Sequence, residues 1–185
     1  SARETTARVA AAAICRKFLL EFGIKIGSYV TEIGTIRSEL NNIPLEDRII
    51  LSEQSEVRCP DKNASDKMQK YIKDIMQKKD TIGGIFEVIA IGVPPGLGSY
   101  VHWDRRIEAT LSRAILSIHA IKGAEIGPAF DNARKTGTEV HDEIILDDNN
   151  ITRKTNRAGG TEGGVTTGQP IIIRAAMKPI STTLN

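Results

Sequence analysis

Apolar residues recur at the three- and four-residue spacing of an amphipathic helix in three stretches of the chain. The first stretch begins with Ser1-Ala2-Arg3-Glu4, which has the form of a capping box and predicts a long Ala-rich helix. The second begins at Asn63 or Ser65, either of which can cap a helix. The third follows a cap at Asp104.

The first helix is apolar over much of its circumference as well as rich in Ala. A helix of this kind packs closely between other layers rather than lying at a surface. We therefore expect it to be buried, with Cys15 acting as a small buried hydrophobe.

Four stretches have the pattern of β-strands: residues 24–36, in which apolar and polar residues alternate, residues 85–93, residues 119–127 and residues 169–177. The element order could indicate a parallel doubly wound sheet. However, the strands are long, two are amphipathic, and the chain lacks a dinucleotide fingerprint. These features favour an α+β fold in which helices are layered against antiparallel β-sheets.

Two stretches have little periodicity. Residues 37–60 contain Pro44 and Pro60 and are predicted to be irregular. Residues 128–168 are rich in Gly, Asn, Asp and Thr, and a connection this long without regular structure is usually functional or mobile. We expect mobility in the absence of a ligand.

Composition narrows the function. The chain has 185 residues, which indicates a single domain or a large piece of one, and 40% of them are hydrophobic. Its net charge of +2 and its aromatic content of 4% do not favour a nucleic-acid partner. No apolar run is long enough to span a bilayer, so we expect no membrane association.

The two cysteines lack metal-ligand spacing, which indicates no metal site and favours reduced thiols in the cytoplasm. The chain begins without Met and directly on a helix-start signal, so we expect residues 1–185 to be a single-domain fragment of a longer protein.

Residues 156–182 carry the strongest chemical signal in the chain. Two Gly pairs precede a predicted strand in which Arg174 and Lys178 share a face, and Pro179, Ser181 and Thr182 follow. Cations, hydroxyls and exposed backbone amides together suit a phosphate group. An equally good interpretation is a strand with two solvent-reaching cations beside a mobile turn.

Other candidates have ordinary structural explanations. The helix start at Ser1 could bind an anion, but a helix cap is the simpler interpretation. Residues 92–99 (GVPPGLGS) follow a strand as a phosphate loop would, yet a tight turn is favoured. His102 and His119 are expected to be structural, and His141 either joins two carboxylates in an acid–base cluster or, as we favour, lies in a solvated turn.

Eight short motifs occur in the order in which they occur in chorismate synthases, and they cover essentially the whole chain: SARET (1–5), RCPD (58–61), DTIGG (80–84), GVPPGLGSYVHWD (92–104), IKGAEIG (121–127), HDEI (141–144), NRAGGTEGG (156–164) and KPIST (178–182). The chain therefore resembles the chorismate synthase family. Members of that family are lyases of the shikimate pathway, which leads to the aromatic amino acids. They convert 5-enolpyruvylshikimate 3-phosphate to chorismate and phosphate by anti 1,4-elimination.

The resemblance also implies cofactors, assembly and location. The family requires reduced FMN without net redox change, and NADPH is a possible source of the reducing equivalents. It forms cytoplasmic homotetramers whose subunits have the α+β layering expected above. The alternative to this enzyme is a non-catalytic flavin- or phosphate-binding module, or an oligomerisation core.

The resemblance assigns site residues by matching motifs. The residues that match the family's FMN contacts are Ser1, His119, Ala120, Gly163, Lys178, Pro179, Ile180, Ser181 and Thr182. Of these, Lys178 is the expected phosphate partner, whereas Arg174 lies outside the matched contacts and is expected to be structural. Arg3 is expected to help hold the anionic substrate.

The match has two departures. His119 occupies a position that is often an amide residue in the family, and a histidine there could still donate one hydrogen bond. The family's two catalytic histidines and its further functional Arg and Asp residues have no counterpart in residues 1–185. We therefore assign no catalytic residue within this chain and expect residues 1–185 alone to be inactive.

Overall fold

The computed structural model describes residues 2–181, which form two compact units. Within the described range, unit 1 comprises residues 2–26, 89–119 and 125–173, and unit 2 comprises residues 27–88, 120–124 and 174–181. Each unit is therefore built from three separate segments of the chain.

The helices of the described residues are α1 (Ala2–Leu20), α2 (Leu45–Glu53), α3 (Lys62–Gln77), α4 (Ile107–Leu116), α5 (Ala129–Asn132) and α6 (Gly137–Val140), with one 3-10 helix at Trp103–Arg105. The strands are β1 (Lys25–Ile33), β2 (Ile36–Arg37), β3 (Gly84–Ile91), β4 (Ile121–Ile126), β5 (Ile144–Asp147), β6 (Asn150–Arg153), β7 (Thr161–Glu162), β8 (Val165–Thr166) and β9 (Ile171–Met177).

Five strands form one sheet in the order β2-β1-β3-β9-β4. Strands β1 and β2 pair antiparallel, as do β5 with β6 and β7 with β8 in two separate hairpins. In β9 the buried residues alternate, because Ile171, Ile173 and Ala175 are buried while Arg174 lies on the other face. The four predicted strands are confirmed, with ends that differ by a few residues.

The core of unit 2 forms where α3 covers the strands. Cys59, Ala64 and Met68 are buried together, and partly buried apolar residues pack against them: Val30, Ile33, Ile36 and Val57. Helix α3 begins one residue after Asp61, whose Oδ1 accepts the Ala64 N–H at 3.1 Å. The predicted caps at Asn63 and Ser65 were therefore wrong, because Asp61 lies far enough upstream to accept a first-turn N–H.

Two other sequence expectations for helices were wrong. Residues 37–60 contain helix α2, whose N-cap is Pro44 and whose first turn carries Glu46 and Asp47. Proline is compatible with a helix start, and carboxylates favour its positive end, so the Pro-containing stretch still forms a helix. Asp104 lies in the 3-10 helix, bound to His102, and α4 begins after Arg106 without a side-chain cap.

The predicted helix at the start of the chain is confirmed as α1, but its expected burial is wrong. No described residue of α1 is buried, and Cys15 is exposed. The charged residues of the helix are distributed around its circumference, so it lacks a single apolar stripe to pack within unit 1.

The segment 128–168 is folded rather than irregular. It contains two one-turn helices and two hairpins, and the buried carboxylate of Asp142 binds the stretch between the hairpins. Asp142 accepts hydrogen bonds from Thr155 Oγ1 at 2.6 Å, the Arg157 N–H at 2.7 Å and the Ala158 N–H at 2.8 Å. These contacts join residues that are 13 to 16 positions apart, so periodicity along the sequence could not reveal them.

Candidate functional site

In unit 2, the segment Lys178–Ser181 leaves the end of β9 and is held through its backbone. The Lys178 N–H donates to the Ala120 carbonyl at 2.9 Å. Thr81 Oγ1 donates to the Ile180 carbonyl at 2.6 Å. Both bonds use main-chain groups of the segment, so the side chains of Lys178 and Ser181 remain available to a ligand.

The Lys178 side chain is exposed, and within residues 2–181 its ammonium group has no hydrogen bond or ion pair. Strand β9 ends at Met177, so Lys178 lies just beyond the sheet rather than on a face shared with Arg174. A cation at a chain segment that is fixed through its backbone has the chemistry of a phosphate partner.

Arg174 is engaged elsewhere in unit 2. One of its guanidinium nitrogens lies 2.5 Å from Glu32 Oε1, and Arg37 Nε approaches the same oxygen at 3.3 Å. Glu32 is therefore shared by two arginines, and the structural role expected for Arg174 agrees with these contacts. All three residues line a polar cavity of about 450 Å³.

Ala120 has a strained backbone that suits its role in unit 2. Its φ of 67° lies in the left-handed region, which costs a residue with a Cβ about 1 kcal/mol. This turn immediately precedes β4, and its carbonyl accepts the Lys178 N–H. The strain at Ala120 thus belongs to the arrangement that holds the candidate phosphate segment.

The DTIGG motif contributes residues that sequence reasoning did not assign to the site. Besides the Thr81 hydroxyl, Gly83 lies so close to the segment that an added Cβ would be 2.5 Å from the Met177 carbonyl oxygen and 3.1 Å from Pro179 Cδ. Only glycine permits this approach without a backbone shift. The Gly pair at residues 83–84 was the sequence signal, but its partner could not be read from the chain.

In unit 1, His119 lies against the first turns of α1. Its Nε2 is 3.3 Å from Glu4 Oε2, and Glu4 Oε1 accepts two hydrogen bonds from Arg8. Arg8 also donates to Ser117 Oγ at 2.7 Å. The hydrogen bonds from Arg8, followed by that from His119, lower the pKa of the Glu4 carboxyl group. Arg3 is exposed on the same helix, one residue before Glu4.

Gly163 occupies the tip of the β7–β8 hairpin in unit 1. Its φ is 62°, and an added Cβ would meet nothing within 4 Å, so its outer side is open. The neighbouring Gly164 is packed instead, because an added Cβ there would lie 2.5 Å from the Ser99 carbonyl oxygen. Thr161 Oγ1 in the same hairpin is buried and has no hydrogen bond among the described residues.

The PPGLGS stretch supports this hairpin. The Gly96 N–H donates to the Thr166 carbonyl at 2.9 Å, and Thr166 Oγ1 donates to the Pro94 carbonyl at 2.6 Å. The stretch is therefore a turn whose backbone groups form hydrogen bonds within unit 1, which agrees with the tight turn favoured from the sequence over a phosphate loop.

The remaining histidines lie away from these groups of contacts. His102 Nδ1 is 2.7 Å from Asp104 Oδ1, and His141 is exposed at the end of α6. The neighbouring Asp142 binds Thr155 and two backbone N–H groups, which leaves no acid–base cluster around His141 among the described residues.

Each unit thus brings part of the expected site together. Unit 2 joins Ala120 to Lys178–Ser181, and unit 1 holds His119 against α1, which carries Arg3, with Gly163 on a separate hairpin. Ser1 and Thr182 lie outside the described residues.

Neither a membrane span nor a metal-binding group is found in the described residues. No helix within residues 2–181 is both long enough and apolar enough to cross a bilayer. The same residues contain no cluster of three or more His, Cys, Asp or Glu side chains arranged to hold a metal ion.

Comparison with known proteins gives one consistent family. The family model described as chorismate synthase matches residues 1–185. "Chorismate synthase 2" of Bacillus thuringiensis subsp. konkukian (strain 97-27) is 52% identical over 184 residues, which are 98% of this chain and 47% of that protein. "Chorismate synthase" of Bacillus licheniformis has the same identity and coverage. The chain therefore spans about half the length of the curated relatives it matches.

A solved structure agrees with these sequences. The crystal structure titled "Crystal Structure of Chorismate Synthase" superposes with a TM-score of 0.91 at 48% identity, covering 97% of this chain and 56% of the other. This similarity confirms the α+β class expected from the sequence. Since the family model matches the whole chain, the chain belongs to the chorismate synthase family.

Proposed function

We propose that the full-length protein is a chorismate synthase, a lyase that removes phosphate from 5-enolpyruvylshikimate 3-phosphate by anti 1,4-elimination to give chorismate. The observation that carries the proposal is the 52% identity to chorismate synthases over 98% of this chain. The alternative, a non-catalytic binding module or oligomerisation core, is not favoured by these relatives.

The donor groups in the chain fit reduced FMN as the cofactor. FMN presents a dianionic phosphate and a flat ring with carbonyl and N–H edges, so it needs cations, hydroxyls and open backbone. The Lys178 ammonium, which has no partner among residues 2–181, suits the phosphate, with Ser181 beside it. The open side of Gly163 and the partly engaged ring of His119 suit the ring system.

Bound reduced FMN would supply reducing equivalents transiently, without net redox change. The chain's own residues would then bind and orient the reactants. Lys178 and Ser181 hold an anionic group at a segment whose backbone is already fixed, which reduces the entropy lost on binding. Arg3 provides a cation on α1 for the substrate. The proposed FMN contacts beyond the described residues are Ser1 and Thr182.

We assign proton transfer to no residue of this chain, so residues 1–185 alone are expected to be inactive. We further propose a cytoplasmic homotetramer that is reduced externally, with NADPH as a source of reducing equivalents. Sedimentation analysis of the full-length protein tests the assembly.

An anaerobic assay with reduced FMN and 5-enolpyruvylshikimate 3-phosphate tests the function. The full-length protein forms chorismate, and residues 1–185 alone form none. Lys178→Met weakens FMN binding about tenfold or more, because a charge-assisted contact to phosphate is lost. Lys70→Met, which removes an exposed lysine of α3 in the same unit, leaves binding unchanged. Absence of chorismate from the full-length protein under these conditions would refute the proposal.

A further inference from the structure

The ring of His119 is held from one side by charged residues of α1. Glu4 Oε2 lies 3.3 Å from His119 Nε2, and Glu4 is the only charged side chain among residues 2–181 within hydrogen-bond or ion-pair distance of that ring. Arg8 faces His119 only through Glu4, whose other oxygen it binds at 2.6 Å and 2.9 Å.

The contact with Glu4 determines which ring nitrogen of His119 carries the proton. Glu4 remains ionised near neutral pH, since Arg8 and then His119 lower the pKa of its carboxyl group. A carboxylate only accepts hydrogen bonds, so His119 Nε2 must carry the proton that faces it. Arg8 also donates to Ser117 Oγ at 2.7 Å. Since Ser117 lies two residues before His119, this bond fixes the chain next to His119 against α1.

The consequence concerns the other nitrogen, Nδ1. A neutral imidazole carries one proton, and Glu4 already uses it. His119 can therefore donate a second hydrogen bond, from Nδ1, only when the ring is protonated. Acidification therefore adds a donor on Nδ1 that the neutral ring lacks.

We propose that Glu4 and Arg8 are positioning residues that hold His119 by Nε2, and that flavin binding to this protein strengthens as the pH falls because the donor on Nδ1 forms only then. The proposal rests on the proposed function in its flavin part and on the geometry of unit 1 in its positioning part. It goes beyond the family assignment, because an amide at this position would donate at every pH.

Labelling without flavin tests the positioning part. Diethyl pyrocarbonate acylates the unprotonated nitrogen of histidine, and the label on each histidine of the full-length protein can be read by mass spectrometry. His119 is expected to react about threefold faster in Glu4→Gln than in the unmodified protein, as expected for loss of a charged hydrogen bond at an exposed site. Glu21→Gln, at an exposed glutamate just after α1, is the control, and His141 is the internal reference. Equal labelling of His119 in all three proteins overturns the inference.

Titration of FMN into the full-length protein tests the flavin part. As the pH is lowered, the Kd is expected to fall about three- to tenfold, because the protonated ring donates one more hydrogen bond. His119→Asn, whose amide donates at any pH, loses this dependence and also controls for titration of the FMN phosphate itself. Glu4→Gln weakens binding at pH 5.5 about threefold in the unmodified background and has no effect in His119→Asn.

The outcomes separate the two proposals. A Kd that rises as the pH falls, or an equal loss from Glu4→Gln in both backgrounds, overturns the inference while FMN binding itself supports the proposed function. Absence of FMN binding by every form at every pH refutes the proposed function and the flavin part with it. The labelling result then decides the positioning part on its own.

Discussion

Replacing Asp142 is expected to unfold the segment that carries the NRAGG motif. Its carboxylate is buried, with 6% of the residue exposed, and it accepts three hydrogen bonds from residues 155–158. Two of the donors are backbone N–H groups, those of Arg157 and Ala158, and have no alternative partner among the described residues. The carboxylate thereby fixes the chain just before the first Gly pair.

The size of the effect follows from the number of acceptors removed. Asp142→Asn keeps one oxygen and places an amide where the other oxygen accepted the Ala158 N–H, so one charged hydrogen bond is lost at about 1.5–3 kcal/mol. Asp142→Ala removes both carboxylate oxygens, and with them all three hydrogen bonds, so the donors are left unpaired at a cost of about 3–5 kcal/mol.

Urea denaturation followed by far-UV circular dichroism measures these losses, and hydrogen exchange at the Arg157 and Ala158 amides locates them. The matched control is Asp147→Asn, because Asp147 is exposed at the end of β5 and its side chain has no partner within residues 2–181. If Asp142→Asn were as stable as Asp147→Asn, or if exchange rose elsewhere first, the assignment of Asp142 as the organising residue would be wrong.

The same carboxylate predicts the direction of a pH effect. Burial raises the pKa of Asp142, but the hydrogen bonds from Thr155, Ala158 and Arg157 outweigh burial and bring it below the usual value. The stabilisation is therefore complete above the unfolded-state pKa of about 3.9 and is lost as the pH falls through the lower pKa of the folded chain. The stability advantage over Asp142→Asn should accordingly shrink between about pH 5 and pH 2, and an advantage that grew on acidification would contradict this reasoning.

Three further predictions concern other parts of the chain. Thr81→Val removes the hydrogen bond to the Ile180 carbonyl and is expected to raise the Kd of the full-length protein for FMN about threefold, whereas Thr81→Ser keeps the hydroxyl and the affinity. Ala120→Gly relieves a positive φ and should change the free energy of unfolding by less than about 0.5 kcal/mol. Ala124→Gly in β4 relieves no such strain and should lower the free energy of unfolding by about 0.5–1 kcal/mol. Equal losses in the two variants would argue against strain at Ala120. In the folded 185-residue chain, Cys15 should react with a thiol reagent, because it is exposed. Cys59 should react only on unfolding, because it is buried and burial raises its pKa. If Cys15 were as unreactive as Cys59, the exposure of α1 would be contradicted.

Local pattern was enough to predict the elements whose signals lie within a few residues. The helix α1 and the strands β3 and β9 follow from helical spacing and from continuous apolar runs, and Pro179 lies just beyond the end of β9. Helix α2 was missed because Pro44 was interpreted as a break in regular structure, although proline is also common at the start of a helix. The burial expected for α1 failed for a different reason, since apolar composition does not specify whether a covering surface exists.

The candidate site could be predicted only as far as its side-chain chemistry. The sequence placed Lys178 and Arg174 together as candidate cations, but it could not show that Arg174 is bound by Glu32, 142 positions away. The Lys178 ammonium, by contrast, has no partner among residues 2–181. Likewise, nothing in the sequence near His119 points to Glu4, which lies 115 positions away. Pairings of this kind are set by the fold, and they decide which charged groups remain available to a ligand.

The contacts that fix the Lys178 segment are made mostly by backbone atoms, and this affects where function can be lost. Most substitutions at Lys178 or Ala120 leave the Lys178 N–H and the Ala120 carbonyl in place, so they do not remove this hydrogen bond. Thr81 and Gly83 instead determine where the backbone lies, one by its hydroxyl and the other by having no Cβ beside the Met177 carbonyl. Residues outside the proposed ligand contacts can therefore still affect binding, because a displaced backbone moves every contact of the segment with it.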